Sequence, residues 1–172
     1  MSAGILPALH WFAAMSFENS FNWIDEKQVS FGERPGRWRK VRQDLEWLRN
    51  QGICTILSLV EKETWSDVYQ EAGFQTHHVP VNDYHAPEMD QIEECMRIIQ
   101  SDAPIYIHCV AGLGRAGTIA AAWLIHNGTP PIDAIRIIRK IRPGAIEVDE
   151  QFDALLEYAY RISTQRTPRT QS

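Results

Sequence analysis

The alternation of apolar and polar residues along the chain predicts short strands that alternate with longer helices. Short apolar runs predict strands, whereas apolar positions that recur every three or four residues predict amphipathic helices. The predicted strands cover residues 21–24, 29–31, 53–60, 74–81 and 105–108, and the predicted helices cover residues 37–51, 66–72, 89–100, 115–127, 131–142 and 148–161. This order predicts an α/β fold in which a central, mixed and mostly parallel sheet is flanked by helices on both faces.

One predicted strand, residues 105–108, leads into a loop with three glycines and then into an apolar helix. Backbone N–H groups of such a loop, together with the free N–H groups that begin the helix, form a site for an anion. We expect the glycines to provide the positive φ angles and close backbone approach that this loop needs. The anion would be bound by Arg115 and by the loop residues Val110, Ala111, Gly112, Leu113 and Gly114.

The same loop begins with a nucleophile, Cys109, six residues before Arg115. An electropositive site favours the thiolate form of cysteine, and a guanidinium can hold two phosphate oxygens. A nucleophile and a phosphate receptor in one loop indicate phosphoryl transfer through a covalent phosphocysteine. The alternatives are a buried structural cysteine beside a simple turn, an inactive phosphate-binding loop, or a different cysteine enzyme such as a sulfurtransferase.

The leaving oxygen of a phosphoester needs a proton donor, and the candidate is Asp83. It follows the predicted strand 74–81, and a loop at the end of a strand can close over a ligand. The alternative is that Asp83 only caps the helix that begins near Glu88. His85 is a weaker candidate for the acid because we expect its side chain to face away from the site.

The segment from His108 to Arg115 has five residues between Cys109 and the arginine. It resembles the phosphate-binding loop of the protein tyrosine phosphatase superfamily, in its dual-specificity branch. The segment from Arg142 to Gln151 is similar to that of small atypical dual-specificity phosphatases of the VHZ kind. This resemblance implies that Asp83 lies in the general-acid loop and that Gln151 positions the water that hydrolyses the phosphocysteine. Glu147 is either a second carboxylate for proton transfer or a helix N-terminal acid.

Ala116 departs from the pattern of most relatives, which have Ser or Thr directly after the arginine. The loop ending in Ala116 resembles that of the phosphatases of regenerating liver, which turn over slowly. This resemblance implies that breakdown of the phosphoenzyme is more impaired than its formation. Thr118 is a possible, more distant substitute for the missing hydroxyl.

The resemblance implies hydrolysis of phosphotyrosine, and a shallow pocket would also admit phosphoserine and phosphothreonine. The alternatives are a slow or inactive phosphate-dependent binding module and a phosphatase of a non-protein phosphoester. The loop has no lysine between Cys109 and Arg115, which disfavours the most highly charged inositol headgroups.

Composition limits the domain organisation and the partners. The 172 residues have a net charge of −5, which argues against general nucleic-acid binding. They suffice for one catalytic domain, predicted over residues 21–162, with an N-terminal extension at 1–20 and a polar tail at 163–172. Three cysteines without close pairing indicate a reducing, cytoplasmic compartment. We expect a monomer that acts on a phosphorylated protein, with no metal, cofactor or membrane span.

Two further features have competing interpretations. Arg34, Arg37, Arg39, Lys40 and Arg42 lie close together and could steer phosphorylated substrates, although a solvated helix face is the simpler interpretation. Cys54 is predicted to be a core residue, with a reversible disulfide to an oxidised Cys109 as the alternative.

Overall fold

The computed structural model describes residues 16–25 and 27–166. Its five strands form one sheet in the order β1-β2-β5-β3-β4. The strands are β1 (Asn22–Trp23), β2 (Val29–Gly32), β3 (Thr55–Ser58), β4 (Gln75–His78) and β5 (Ile105–His108). Only β1 pairs in the antiparallel direction, with β2, whereas β2, β5, β3 and β4 are mutually parallel. The mixed, mostly parallel sheet predicted from the sequence is confirmed.

Helices cover both faces of this sheet. They are α1 (Phe17–Ser20), α2 (Val41–Asn50), α3 (Ser66–Glu71), α4 (Met89–Asp102), α5 (Gly114–His126), α6 (Pro131–Ile141) and α7 (Asp149–Arg166). Successive side chains of a strand point to opposite faces, so Ile105 and Ile107 pack with residues of α4 to α7, whereas Tyr106 packs with residues of α1 to α3. Among the described helices, none is long and apolar enough to span a bilayer.

The ends of several elements differ from the predicted ones. Helix α2 begins at Val41 and not at Arg37, because residues 35–39 form turns and bends. Phe17 is buried in the core next to Tyr106, so the packed structure already includes residues before 21. Helix α7 continues to Arg166, beyond the predicted start of the polar tail. Residues 1–15 of the predicted N-terminal extension lie outside the described residues.

The topology places the candidate loop in the middle of the sheet. Strand β5 lies between β2 and β3, and all four of its residues are buried. Its carboxyl end therefore meets the carboxyl ends of two parallel neighbours, where open α/β sheets bind ligands. The loop after β5 can contact residues that follow β2, β3 and β4.

Candidate active site

The loop between β5 and α5 turns its carbonyl groups outward. The Arg34 backbone N–H donates to the carbonyl of Val110 (3.1 Å), and the Arg142 guanidinium donates to the carbonyls of Ala111 (2.9 Å) and Gly112 (3.2 Å). Because these carbonyls are engaged outside the loop, the peptide N–H groups are left to face its interior, as an anion site requires. Cys109 begins the loop with its side chain buried.

The three loop glycines serve different purposes. Only Gly112 has a positive φ, +68°, and a methyl group placed there would overlap the backbone of Gly32 and Glu33. Gly114 and Gly117 lie within α5 and are needed for close approach, since a side chain at Gly114 would collide with the carboxylate of Glu147. The expectation of positive φ is therefore correct for Gly112 alone.

Arg115 joins the catalytic loop, residues 109–115, to the candidate acid loop, residues 79–88 between β4 and α4. Its guanidinium is buried, donates to the carbonyl of Val81 (2.9 Å) and forms an ion pair with Asp83 (2.7 Å between Nη2 and Oδ1). The Asp83 side chain is 51% exposed, so its carboxylate lies at the mouth of the site. Residues from two loops, more than 30 positions apart in the chain, thus meet at one edge of the sheet.

Asp83 does not cap the following helix. The N-cap of α4 is Glu88, which forms a reciprocal capping box with Gln91, so the capping alternative is wrong. The Asp83 backbone N–H instead donates to Glu61 Oε1 (2.9 Å), which ties the acid loop to the loop after β3. The side chain of His85 is 60% exposed and pairs with Glu150 (3.3 Å), as expected for a residue that faces outward.

Gln151 is fully buried beside the start of α5. Its Nε2 atom would lie 2.8 Å from a methyl group placed on Gly114, and the carboxylate of Glu147 is also adjacent to that position. The structure therefore brings Gln151 and Glu147 to the catalytic loop, although their roles stay predictions. Glu147 is itself solvent-exposed.

His108 is fully buried behind the loop. Its Nδ1 lies 3.2 Å from the carbonyl oxygen of Cys109, which can only accept, so Nδ1 carries the proton. Burial lowers the pKa of His108 to about 4, against the opposing effect of the Glu63 carboxylate 4.0 Å from Nε2. His108 is therefore a neutral histidine that hydrogen-bonds to the backbone of the loop.

Residue 116, directly after Arg115, is an alanine and has no hydroxyl. Ala116 is fully buried. The Thr118 hydroxyl donates to the carbonyl of Gly114 (2.8 Å) and is also buried, so it is engaged with the helix backbone. Thr118 therefore does not replace the missing Ser or Thr at position 116.

Most of the basic cluster is neutralised. Arg42 pairs with Glu71 (2.7 Å), Arg37 with Glu33 (3.5 Å), and Arg39 with both Glu18 (2.6 Å) and Asp44. This arrangement supports a structural use of the cluster over substrate steering.

Both interpretations of Cys54 are wrong. Its side chain is exposed and is not part of the core. Cys54 precedes the first residue of β3, whereas Cys109 follows the last residue of β5, and the two strands pair in parallel register. Their Cα atoms are separated by five residue steps along the strand direction, about 17 Å, which is too far for a disulfide.

Sequence reasoning missed the residues that support the loop from outside. Arg142 belongs to the segment before Gln151 and Gly32 ends a predicted strand region without any assigned role, yet both contact the loop directly. Glu61, which holds the acid loop, had no recognised motif around it. The sequence feature that could have pointed to Arg142 is its position directly before Pro143-Gly144, where a helix is expected to end.

Comparisons with known proteins agree with this geometry. A family model described as "Polymorphic toxin system, DSP-PTPase phosphatase" matches residues 32–129, a range that includes Asp83, Cys109 and Arg115. Cyclin-dependent kinase inhibitor 3 of Rattus norvegicus is 30% identical over 146 residues, with 76% of this chain and 69% of the relative covered.

Two further similarities concern one more curated relative and one solved structure. Probable protein tyrosine phosphatase type IVA A of Dictyostelium discoideum is 36% identical over 109 residues, which cover 60% of this chain and 66% of the relative. The crystal structure of Tk-PTP in its active form superposes with a TM-score of 0.73 at 31% identity, covering 83% of this chain and 97% of that chain. The chain therefore belongs to the dual-specificity branch of the protein tyrosine phosphatase superfamily, and it is a cysteine-based protein phosphatase.

Proposed function

We propose that hydrolysis occurs in two steps on Cys109. Its thiolate attacks phosphorus, so that an S–P bond forms as the P–O bond to the substrate breaks, and the leaving oxygen takes a proton from Asp83. Water then attacks phosphorus and gives a proton to Asp83 as the S–P bond breaks, which releases inorganic phosphate and the free thiolate. The observation that carries this proposal is the ion pair between Arg115 and Asp83 at the mouth of the loop that begins with Cys109.

Arg115 and the loop N–H groups would bind the three non-bridging phosphate oxygens. Because Asp83 contacts the same guanidinium, a bound phosphate dianion would compete with that carboxylate for Arg115. Asp83 would move toward the leaving oxygen, a short displacement that its exposed position permits. To act as an acid, the carboxyl must carry a proton when the leaving oxygen departs.

Gln151 is proposed to orient the water of the second step. Its amide lies beside Gly114 at the start of α5, close to where a phosphoryl group on Cys109 would be held. Glu147 is the second candidate for proton transfer in this step, since its carboxylate lies over the same glycine.

The substrates are proposed to be phosphotyrosine and also phosphoserine and phosphothreonine residues of proteins. Tyr84, beside the acid, is 68% exposed, and Val110 on the loop is 36% exposed. Because both side chains are exposed to solvent, they support a shallow site that is open to short as well as long phosphorylated side chains.

A chelator-containing assay on phosphotyrosine, phosphoserine and phosphothreonine peptides tests the proposal. We expect metal-independent phosphate release that is abolished by Cys109→Ser and reduced about 100-fold or more by Asp83→Asn, the size of a typical general-acid contribution. Retention of activity by Cys109→Ser would contradict the mechanism. Tight binding of phosphopeptide by the unmodified chain, without turnover, would support the phosphate-dependent binding module.

The chain is further proposed to act as a monomer in the cytoplasm. All three cysteines are free, and a catalytic thiol must stay reduced to act. Size-exclusion chromatography with light scattering would test the monomer, since a stable dimer would double the mass of 19.7 kDa.

A further inference from the structure

The buried amide of Gln151 connects three segments that form the site. Its Nε2 donates to the backbone carbonyl of His85 (3.0 Å) in the acid loop, and its Oε1 accepts from the backbone N–H of Glu147 (2.9 Å) before α7. The same amide contacts the start of α5 at Gly114. Gln151 thus bridges the acid loop to the opposite side of the catalytic loop.

The amide matches the chemistry at both ends of this bridge. The carbonyl of His85 can only accept and the N–H of Glu147 can only donate, so the side chain needs one donor and one acceptor. The partners also fix which end of the amide is the nitrogen. Because the side chain is completely buried, loss of the amide would leave two backbone groups without their hydrogen bonds.

The bridge is attached two residues after Asp83. Other contacts of the acid loop with surrounding elements lie at or before Asp83: Pro80 accepts from Gln91, Val81 accepts from Arg115, and Asp83 donates to Glu61. Within the loop, the His85 backbone N–H donates to the carbonyl of Asn82 (3.2 Å). After Asp83, the His85 side chain contacts Glu150 at the surface, and such an exposed contact contributes little to holding the loop. Tyr84, between Asp83 and the bridge, has a φ of +59°, a conformation that surrounding contacts must maintain.

We propose that Gln151 is a positioning residue for the general acid: its hydrogen bond to the His85 carbonyl holds Asp83 over the catalytic loop during formation of the phosphoenzyme. This inference rests on the proposed function, in which Asp83 is the acid. It adds a role in the first step to the water-orienting role in the second.

The two roles have different kinetic consequences. In a two-step mechanism kcat/KM reports the events up to formation of the phosphoenzyme, so a residue that only orients the hydrolytic water changes kcat and leaves kcat/KM unchanged. A residue that positions the acid changes kcat/KM, and does so only for substrates whose leaving oxygen needs a proton.

The experiment compares Gln151→Leu with the unmodified chain on two substrates. Phenyl phosphate has a leaving group that needs protonation, whereas difluoromethylumbelliferyl phosphate has one that leaves readily as the anion. We expect Gln151→Leu to lower kcat/KM for phenyl phosphate about 10-fold, a partial loss of general-acid catalysis, and to change kcat/KM for the fluorogenic substrate little. In an Asp83→Asn background, Gln151→Leu should not lower kcat/KM for phenyl phosphate further.

A matched control is His85→Ala, which removes an exposed side chain but keeps the carbonyl that Gln151 binds. It should leave the leaving-group dependence unchanged. Gln151→Glu provides a second variant if Gln151→Leu fails to fold, because a carboxylate can accept from Glu147 but cannot donate to His85. Vanadate binding by each variant would show that the catalytic loop is intact.

Three results would overturn the inference. Gln151→Leu could lower kcat alone, or it could lower kcat/KM equally for both substrates. It could also lower kcat/KM for phenyl phosphate further in the Asp83→Asn background. Asp83→Asn should itself lower kcat/KM more for phenyl phosphate than for the fluorogenic substrate. If it does, any of these three results excludes only the proposed role of Gln151. Absence of that dependence in Asp83→Asn would instead remove the proposed general acid, and this inference with it.

Discussion

At the scale of single residues, the catalytic loop has a nucleophile but lacks a hydroxyl to help it leave. In the proposed mechanism, the sulfur of Cys109 becomes the leaving group when the phosphoenzyme is hydrolysed, and a nearby hydroxyl can stabilise the thiolate as it forms. Ala116 has none, and the Thr118 hydroxyl is engaged by the carbonyl of Gly114. We therefore expect the second chemical step to be the slow one.

Ala116→Ser is expected to raise kcat, by about 10-fold if the new hydroxyl contributes a hydrogen bond to a charged group of about 1.4 kcal/mol. The value of kcat/KM should change little, because phosphoenzyme formation does not use this contact. Stopped-flow measurement of the burst and of the steady state separates the two steps. An unchanged or lower steady-state rate, with vanadate binding intact, would contradict this prediction.

At the scale of elements, the loop is shaped by segments that follow other strands and helices. Arg142, directly after α6, donates to two loop carbonyls, and Gly32 at the end of β2 leaves room for Gly112. The anion site therefore depends on the packing of α6 and β2 around β5. A loop peptide of the same sequence would lack these constraints.

Arg142→Ala is expected to weaken binding of vanadate and tungstate about 10-fold, since two carbonyls lose their donors and are free to turn inward toward the anion. Isothermal titration calorimetry would measure the dissociation constants. The matched control is Arg136→Ala on α6, whose guanidinium is exposed and pairs only locally with Asp133. Equal affinities for the two variants would show that Arg142 does not shape the site.

At the scale of the whole molecule, the fold keeps a neutral histidine in its centre. His108 is enclosed by Tyr69 and Tyr106, which pack against its ring. Burial lowers the pKa of His108 to about 4, whereas an unfolded chain has a histidine pKa of about 6.5. Between these values the unfolded state binds more protons than the folded state.

The free energy of unfolding should therefore be fully maintained above pH 6.5 and fall as the pH is lowered toward 4. The loss from His108 amounts to about 3 kcal/mol, because the pKa of about 4 already includes the attraction of Glu63. Urea unfolding of the unmodified chain and of His108→Asn across this pH range measures it, because asparagine can donate to the same carbonyl but does not titrate. Parallel pH dependences for the two proteins would contradict the prediction.

The sequence predicted the regular elements well because their patterns are local. Strand β5 begins and ends where the apolar run does, and the helix after it begins one residue earlier than predicted. The errors lie where tertiary contacts decide: Phe17 packs against Tyr106 in a segment assigned to an extension, and Cys54 is exposed at the end of an apolar run. Local pattern cannot show which side of a strand end is covered.

The sequence by itself determined the proposed nucleophile, the proposed phosphate-binding arginine and the loop between them, because strand, loop and helix start are contiguous and their chemistry is encoded within a dozen residues. Only the tertiary structure decided which distant residues complete the site. The pairing of Asp83 with Arg115 and the bridge from Gln151 to the acid loop depend on the order of parallel strands and on helix packing. Those contacts join residues tens of positions apart, and no periodicity along the chain specifies them.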